Sequence, residues 1–383
     1  MRAIVGMAVV VLTALNVPST AQAAGAKCVR LGWHPDGARG LVAVRQGERV
    51  VGCGGAVSTR SLTRVTAAGR GTLHTTETRV DGLLSVHSLN TGNVRSGGDA
   101  DLPKLERRLD TTRGSVMKVR VLLATILIAL ALFAPRRAIS GAAAAVAASV
   151  VLSALGSTSL TLLGVLTLLG SLVPWRALWL FFAAYLVVLV SSPATQSLAL
   201  LGPHPWGGGR FYGVSNEIET LLLAPALVLG LAAAPLVLLT IAWSRAGADG
   251  GGLLVYLTAY ARLLPRPQLA LIAAAVLAVL FVAIDAATGG SSHVTHSVLH
   301  GHVFHDLWHR WHTSWNGVAG AWGRGIVSAL SAGTLAWVAT RRPRARIVDA
   351  FLLAVLVSLV ANDTPQDVLF WGAINGVALW RAV

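Results

Sequence analysis

The sequence predicts an all-α polytopic membrane bundle preceded by a small extracytoplasmic domain of α/β or β-rich structure. Long apolar runs alternate with short, polar, glycine-rich breaks from residue 117 to the end of the chain. Hydrophobic residues make up 54% of the chain and charged residues 12%, whereas an average soluble domain has about 25% charged residues. A short apolar stretch near the amino terminus also marks the chain for export.

The apolar runs determine how many membrane segments we expect. With their flanks, most approach or exceed the roughly 20 residues that span a bilayer core. They also lack the polar face that a surface helix of a soluble protein carries. Residues 118–383 are therefore expected to form about eight to ten membrane segments, one of them re-entrant. The runs cover residues 121–134, 139–155, 160–173, 178–190, 218–243, 269–284, 326–338 and 351–361.

Residues 1–23 have the pattern of a secretory signal peptide. Arg2 precedes an apolar stretch at residues 4–15, and the sequence Ala-Gln-Ala that ends at Ala23 has the form of a signal-peptidase site. An uncleaved anchor is the alternative, although the apolar stretch is short for a membrane span. Either outcome exports residues 24–117, which we interpret as the extracytoplasmic domain.

The extracytoplasmic domain contains both cysteines of the chain, Cys28 and Cys53. An exported compartment permits a disulfide between them. Residues 41–44 and 49–51 flank a short turn and predict a small hairpin. Because this domain of about ninety residues has few large apolar side chains, it buries little core of its own. We expect the disulfide and the membrane surface to support it.

Arginine placement predicts the orientation of the bundle, because short cytoplasmic loops carry an excess of basic residues. If the first span leaves the outside, Arg136 and Arg137 follow it into the cytoplasm, and Arg176 follows the third span. The loop at residues 191–217 then lies outside. The next apolar run ends at Arg245, again inside.

A full crossing immediately after that run would carry Arg262 outside. We therefore expect residues 247–264 to be re-entrant or interfacial, since glycine-interrupted backbone is tolerated at membrane depth only inside protein. All basic clusters then lie on one side. The polar breaks at 191–217, 291–316 and 362–364 lie on the other side, which predicts one shared site.

The first polar break, residues 207–217, ends where a long apolar helix begins. Ser215 or Asn216 suits the cap of that helix, and the helix dipole favours a carboxylate at Glu217. Alternatively, Arg210 beside the glycine run binds a phosphate or carboxylate together with backbone N–H groups. Both interpretations remain open at this stage.

Two further breaks carry isolated carboxylates. Asp249 precedes the glycine run 250–252, and it either faces cytoplasmic water or lines a site if the segment re-enters. The tetrapeptide at 362–365 forms a good turn, because Asn and Asp bond their own backbone and Pro fixes the exit. Asp363 or Asp367 is alternatively a cation ligand.

The His-rich break, residues 291–316, begins near His293 and permits three interpretations. It is an interfacial helix whose wet face holds the histidines, a zinc or other transition-metal site, or a pH-sensing contact with lipid headgroups. Helical spacing aligns one stripe of candidate metal ligands, His302, His305, His309 and His312. It aligns an adjacent aromatic stripe of Phe304, Trp308, Trp311 and Trp315.

Four of these breaks together resemble the ordered motifs of a bacterial membrane protein family. Residues 209–217, 247–252, 291–293 and 362–364 are similar to its patterns G-x-R-F-Y-G-I-G-N-E, G-A-D-V-G-G, S-H-x-G-R and N-D-S-G. Larger members carry an extracytoplasmic domain similar to the alkaline phosphatase superfamily, and residues 71–84 resemble the end of that domain. Residues before 71 are too few for the nucleophile and metal ligands, so the resemblance implies a truncated domain without phosphatase activity.

The sequence thus predicts a protein of the bacterial cytoplasmic membrane that handles an envelope lipid, polymer precursor or anion at an outward-facing polar site. A non-catalytic scaffold that binds an envelope protein is the first alternative, and metal binding or transport by the histidines is the second. No cofactor is predicted, and scattered arginines without an aromatic platform argue against nucleic acid. The candidate site residues are Arg210, Asn216, Glu217, Asp249, His293 and Asp363.

Overall fold

A computed structural model of the chain describes most of the carboxyl-terminal part and little of the amino-terminal part. It describes the backbone of five short strands before residue 102, residues 102–266 without 193–194, 197, 203–212, 244–245 and 248, isolated residues between 272 and 318, and residues 322–383 without 363. The signal peptide and the disulfide between Cys28 and Cys53 lie outside the described residues and stay predictions.

The described strands form two small antiparallel sheets. The strands are β1 (Leu31–His34), β2 (Val50–Gly52), β3 (Gly55–Val57), β4 (Arg70–Thr75) and β5 (Leu89–Gly92). One sheet has the order β1–β4–β5, and β2 pairs with β3 in the other. The hairpin predicted around 46–48 has its first strand, 41–44, outside the described residues. The fold of the extracytoplasmic domain therefore stays a prediction.

The rest of the described chain is helical, which confirms the helical part of the predicted fold class. Two short 3-10 helices, Trp175–Ala177 and Leu231–Ala233, precede α4 and α6. The α-helices are α1 (Leu102–Phe133), α2 (Pro135–Ala154), α3 (Leu160–Gly170), α4 (Leu178–Ser191), α5 (Asn216–Val228), α6 (Ala234–Ala242), α7 (Gly250–Leu263), α8 (Trp322–Thr340), α9 (Arg346–Ala361) and α10 (Pro365–Ala382).

Several of these helices have the length and the apolar composition of membrane spans. Gly114–Phe133 and Pro135–Ala154 are each long and apolar enough to cross a bilayer, and a third span results if α3 and α4, bent by 116°, are one. Leu169, Leu172 and Leu180 expose more than half of their surface. Such apolar surface is more favourable in contact with lipid than in contact with water. These helices indicate a membrane protein, while the larger number of segments stays a prediction.

Arginines gather at one end of the bundle. Arg381 Nη1 donates to Ala131 O at 3.1 Å, and Arg136 Nε donates to Ala382 O at 3.4 Å, so α1 and α10 end where α2 begins. Trp337 of α8 and Trp380 of α10 have ring centroids 5.0 Å apart, so α8 ends there too. We call this the basic end.

The basic end also includes the start of α9 and the end of α7. Asp349 of α9 pairs with Arg262 of α7 at 3.2 Å and with Arg344 of the loop that follows α8. The described arginines of these connections therefore share one end, as the positive-inside rule predicts. The opposite end, where α5, α7 and α10 begin, is called the polar end.

The apolar run 218–243 turns back on itself instead of crossing once, which corrects the sequence interpretation. Its two arms, α5 and α6, join at Gly230, whose φ is 75°. Val214 N donates to Gly247 O at 2.8 Å, so the segment begins and ends at the polar end. The residues on both sides of Gly230 are apolar, so no polar residue marks the turn. The sequence pattern therefore predicts a single span.

Residues 247–264, expected to be re-entrant, instead connect the two ends of the bundle. Helix α7 begins after Asp249 and ends at the basic end beside Asp349. Its 14 residues span about 21 Å. The arginines still share one side because the hairpin α5–α6 supplies the reversal. Asp249 is 3% exposed, so the interpretation that it faces cytoplasmic water is wrong.

Closure of the hairpin α5–α6 depends on a glycine at 213. Gly213 has φ 85°, and a Cβ there would clash with Gly247 O, whereas Gly156 has φ 72° and open space around it. Gly156→Ala should cost about 1–2 kcal/mol for the left-handed backbone alone. Gly213→Ala should cost more, because it also pushes Gly247 away. Equal thermal unfolding midpoints of the two purified variants would contradict this account.

Candidate functional site

Polar side chains from five helices meet at the polar end. Three helices begin there, and their first turns leave N–H groups and a partial positive charge that favour carboxylates. Ser215 Oγ caps α5 by accepting from Ile218 N at 3.4 Å, and Asp249 Oδ1 caps α7 by accepting from Gly252 N at 3.1 Å. The predicted cap of α5 is therefore Ser215.

The outer layer of the site is an arginine network. Arg120 Nη2 lies 2.9 Å from Glu217 Oε2 and 3.0 Å from Asp367 Oδ2. Trp371 Nε1 donates to the other oxygen of Glu217 at 3.0 Å. Arg120 and Asp367 are half-buried and Glu217 is buried. One guanidinium thus joins α1, α5 and α10, with two carboxylates around a single positive charge.

The inner layer is a pair of neighbouring buried carboxyl groups, those of Glu219 and Asp249, which we call the carboxyl pair. Asn362 Nδ2 donates to Glu219 Oε2 at 2.8 Å, and Ser358 Oγ donates to Oε1 at 3.3 Å. The two carboxyl groups are 1% and 3% exposed.

Side chains of α7 and α10 also hold the backbone of α5. Tyr256 Oη donates to Glu219 O at 2.8 Å. Asn375 Nδ2 donates to Thr220 O at 3.0 Å and to Leu221 O at 3.3 Å. Pro225 has no N–H for the Leu221 carbonyl, so Asn375 supplies the missing donor. The first turn of α5 is therefore fixed from two sides.

The glycine run before α7 allows α9 to approach closely. A Cβ at Gly251 would clash with Asn362 Oδ1, and a Cβ at Gly252 would lie 2.7 Å from Ile241 Cγ2. Any larger residue at 251 would push away the amide that donates to Glu219. The close packing around the carboxyl pair therefore requires glycines in this run.

The structure brings together three of the polar breaks named in the sequence. Asn216 Nδ2 donates to Thr364 Oγ1 at 3.0 Å, which links the first break to the last. Val214 N donates to Gly247 O, and the carboxyl group of Asp249 neighbours that of Glu219. The candidates Arg210, His293 and Asp363 lie outside the described residues. Asn216, Glu217 and Asp249 line one continuous site.

Sequence reasoning missed Arg120, Glu219, Trp371 and Asn375. Arg120 carried a usable signal, because an arginine at the edge of an apolar helix is costly in a membrane and needs a partner. Asp367, considered as a cation ligand, instead takes the guanidinium of Arg120 as its cation. Trp371 and Asn375 inside α10 carried no such signal, because neither side chain is charged.

Little of the His-rich break is described. His312 is exposed, and its Nδ1 lies 3.1 Å from the Asn316 amide nitrogen. The rings of Trp308 and Trp311 are exposed, with centroids 5.5 Å apart. Within the described part of the chain, no group of three or more His, Cys, Asp or Glu is placed to hold a metal. The other candidate ligands, His302, His305 and His309, lie outside it, so the metal site stays a prediction.

Comparison of the chain with known protein families, curated protein sequences and solved structures finds no match. The resemblance to the bacterial membrane family therefore stays a hypothesis carried by short motifs. The described residues of three of those motifs, 213–217, 247 with 249–252, and 362 with 364, meet at the polar end although they are separated along the chain. Function has to be argued from the chemistry of this site.

Arg120 should be essential to the outer layer. Arg120→Met leaves Glu217 and Asp367 without their cation, which should destabilise the fold by about 3–5 kcal/mol. The triple variant Arg120→Met, Glu217→Gln, Asp367→Asn removes both orphaned charges and should recover much of that loss. Unfolding of the purified proteins in detergent measures both the loss of stability in the single variant and its recovery in the triple variant. A triple variant no more stable than the single one would show that the charges are not coupled.

Gly251 should be required for the inner layer. Gly251→Ala should lower the unfolding midpoint strongly, because the new methyl group displaces Asn362 from Glu219. Gly333 is the matched control, since it lies inside α8 with open space around it. Gly333→Ala should be neutral or stabilise the protein by up to about 1 kcal/mol through helix propensity. Similar losses in both variants would contradict the packing account.

Proposed function

We propose that this chain is an integral membrane protein of the bacterial envelope that binds the hydroxyl-bearing headgroup of an envelope lipid or polymer precursor at the polar end, for transfer or transport. The observation that carries the proposal is the convergence of polar and ionisable side chains from five helices inside an apolar bundle. Ionisable groups at membrane depth are costly and typically mark a substrate or ion pathway.

The charge of the site supports a hydroxyl-bearing substrate over an anion. Among the described residues, Glu217, Glu219, Asp249 and Asp367 supply four carboxyl groups, whereas the described cations near them are Arg120, which bridges Glu217 and Asp367, and Arg324. An anion would therefore meet repulsion. Hydroxyl groups donate well to carboxylates. The headgroups of glycolipids and of sugar-bearing polymer precursors carry such hydroxyl groups.

The side chains of the outer layer are more exposed to solvent than those of the inner layer, which indicates where a substrate binds. Asn216, Thr364, Arg120 and Asp367 are half-buried, whereas Glu219 is buried. A headgroup that arrives from the polar end meets the outer layer first. The amide and hydroxyl of Asn216 and Thr364 can there exchange their mutual hydrogen bond for bonds to substrate hydroxyls. Arg120 and Glu217 form the floor of this proposed headgroup site.

Copurifying lipids test this proposal. The full chain is purified from membranes of a host that makes glycosylated envelope lipids, and bound lipids are identified by mass spectrometry. The variant Asn216→Ala, Thr364→Ala should retain about tenfold less of the lipid enriched on the wild type, because two hydrogen-bonding groups are lost. Thr340→Ala, at the basic end, is the matched control and should retain it.

An unchanged lipid profile in the double variant would overturn the substrate proposal. If the protein still folded and still captured an envelope protein, the scaffold interpretation would replace it. Thermal unfolding of each variant in detergent shows whether the fold is retained, so loss of binding is distinguished from loss of structure.

A further inference from the structure

An apolar groove opens toward the basic end, away from the headgroup site of the polar end. Helices α1 and α8 both pack against α10, and the groove lies between them. Its lining includes Leu132 of α1, Thr334 of α8, and Ile374 and Val377 of α10. The hydroxyl of Thr334 donates to Leu330 O at 2.9 Å within its own helix. The groove therefore offers apolar surface and suits a hydrocarbon chain.

The mouth of the groove is marked by Arg381, an exposed arginine in the last turn of α10. Its Nη1 donates to Ala131 O at 3.1 Å and also to Leu132 O, and both of these residues line the groove. A guanidinium carries five N–H groups. Those on Nε and Nη2 make no hydrogen bond in the described part of the chain. They can donate to a ligand that lies over the mouth.

Two tryptophans indicate the depth of this mouth in a bilayer. Trp337 of α8 and Trp380 of α10 each lie almost one helical turn beyond a lining residue of the groove. The guanidinium carbon of Arg341 lies 4.4 Å from the centroid of the Trp337 ring. Tryptophan and arginine side by side are typical of the headgroup region. Ile374 lies about 10 Å along α10 from Arg381, so the groove extends from that region toward the apolar interior.

The mouth carries positive charge that no described carboxylate neutralises. Among the residues the structure describes, no carboxylate forms an ion pair with Arg136, Arg341 or Arg381. Asp349, at the same end, pairs with Arg262 and other arginines instead. Arginine binds phosphate well, because its N–H groups match the geometry of the phosphate oxygens. Basic pockets between membrane helices are typical binding sites for anionic lipid headgroups.

We propose that the groove binds an anionic phospholipid, with one acyl chain between α1 and α8 and the phosphate against Arg381 and Arg341. Phosphatidylglycerol has this chemistry, because its phosphate diester is negative and its headgroup carries no cation. Phosphatidylcholine and phosphatidylethanolamine carry a compensating cation and bind less well. The inference does not rest on the ligand at the polar end, which is recognised there through its hydroxyl groups.

Photocrosslinking of the wild-type chain tests the proposal. The full chain is reconstituted in phosphatidylcholine vesicles that contain a trace of phosphatidylglycerol with a diazirine in one acyl chain. Peptide mass spectrometry then locates the adducts, which we expect within residues 128–132 and 373–377. An excess of unlabelled phosphatidylglycerol over the probe should remove most of these adducts, whereas the same amount of phosphatidylethanolamine should not.

Three outcomes with the wild-type chain would overturn the proposal. The first is a set of adducts that avoids both stretches, and the second is equal competition by the two unlabelled lipids. The third is removal of the adducts by glycerol phosphate, which has the phosphate without acyl chains and would assign the arginines to a soluble anion. None of these readings depends on whether a variant folds.

The arginines at the mouth are tested by removing their charge. Arg381→Gln and Arg341→Gln should each lower the adduct yield about fivefold, because each removes a cation from the phosphate. Arg176→Gln is the matched control. Arg176 is exposed at the same end, since Trp175 beside it donates to Arg136 O, but its 3-10 helix does not line the groove. Equal losses in all three variants would show that the total charge attracts the lipid, and no specific site.

The groove itself is tested by filling it. Thr334→Trp places an indole in the groove and should abolish the adducts within residues 128–132 and 373–377. Ala336→Trp adds the same bulk to an exposed position of α8 outside the lining and should keep them. Thermal unfolding in detergent confirms that each variant is folded. A folded Thr334→Trp variant with undiminished adducts would remove the acyl chain from the groove.

Discussion

Two carboxyl groups in the first turn of α5, Glu217 and Glu219, lie in the interior of a predominantly apolar bundle. Burying a carboxylate is costly unless its oxygens are paired or bonded. Arg120 and Trp371 bond the first group, and Asn362 bonds the second. These partners come from α1, α9 and α10, so this one turn holds three other helices in place.

The hairpin α5–α6 makes this arrangement possible. By returning to the polar end, it brings Gly247 to Val214 and starts α7 beside α5. Asp249 then reaches Glu219, which a single crossing would have placed at the opposite end from it. Glycines at the contact points permit the close approach, and Asn375 supplies the donor that Pro225 removes. The reversal and the carboxyl pair therefore depend on each other.

Part of the candidate site was accessible from the sequence. Asn216, Glu217 and Asp249 stand out because polar residues interrupt apolar runs there, and the charge asymmetry correctly placed the described basic clusters on one side. Glu219 and Arg120 were not among the candidates that the sequence suggested. The side chains to which they hydrogen-bond lie 97 to 247 positions away along the chain, and no local pattern reports a contact of that range.

By itself, the sequence determined that the chain is a helical membrane protein with its polar residues confined to short breaks, because hydrophobicity and charge are properties of composition and local spacing. Only the tertiary structure decided which breaks meet, which apolar run reverses and which carboxyl group pairs with arginine rather than with another carboxyl. Those choices arise from contacts between helices distant in sequence, where close packing and the cost of unpaired buried charge select one arrangement.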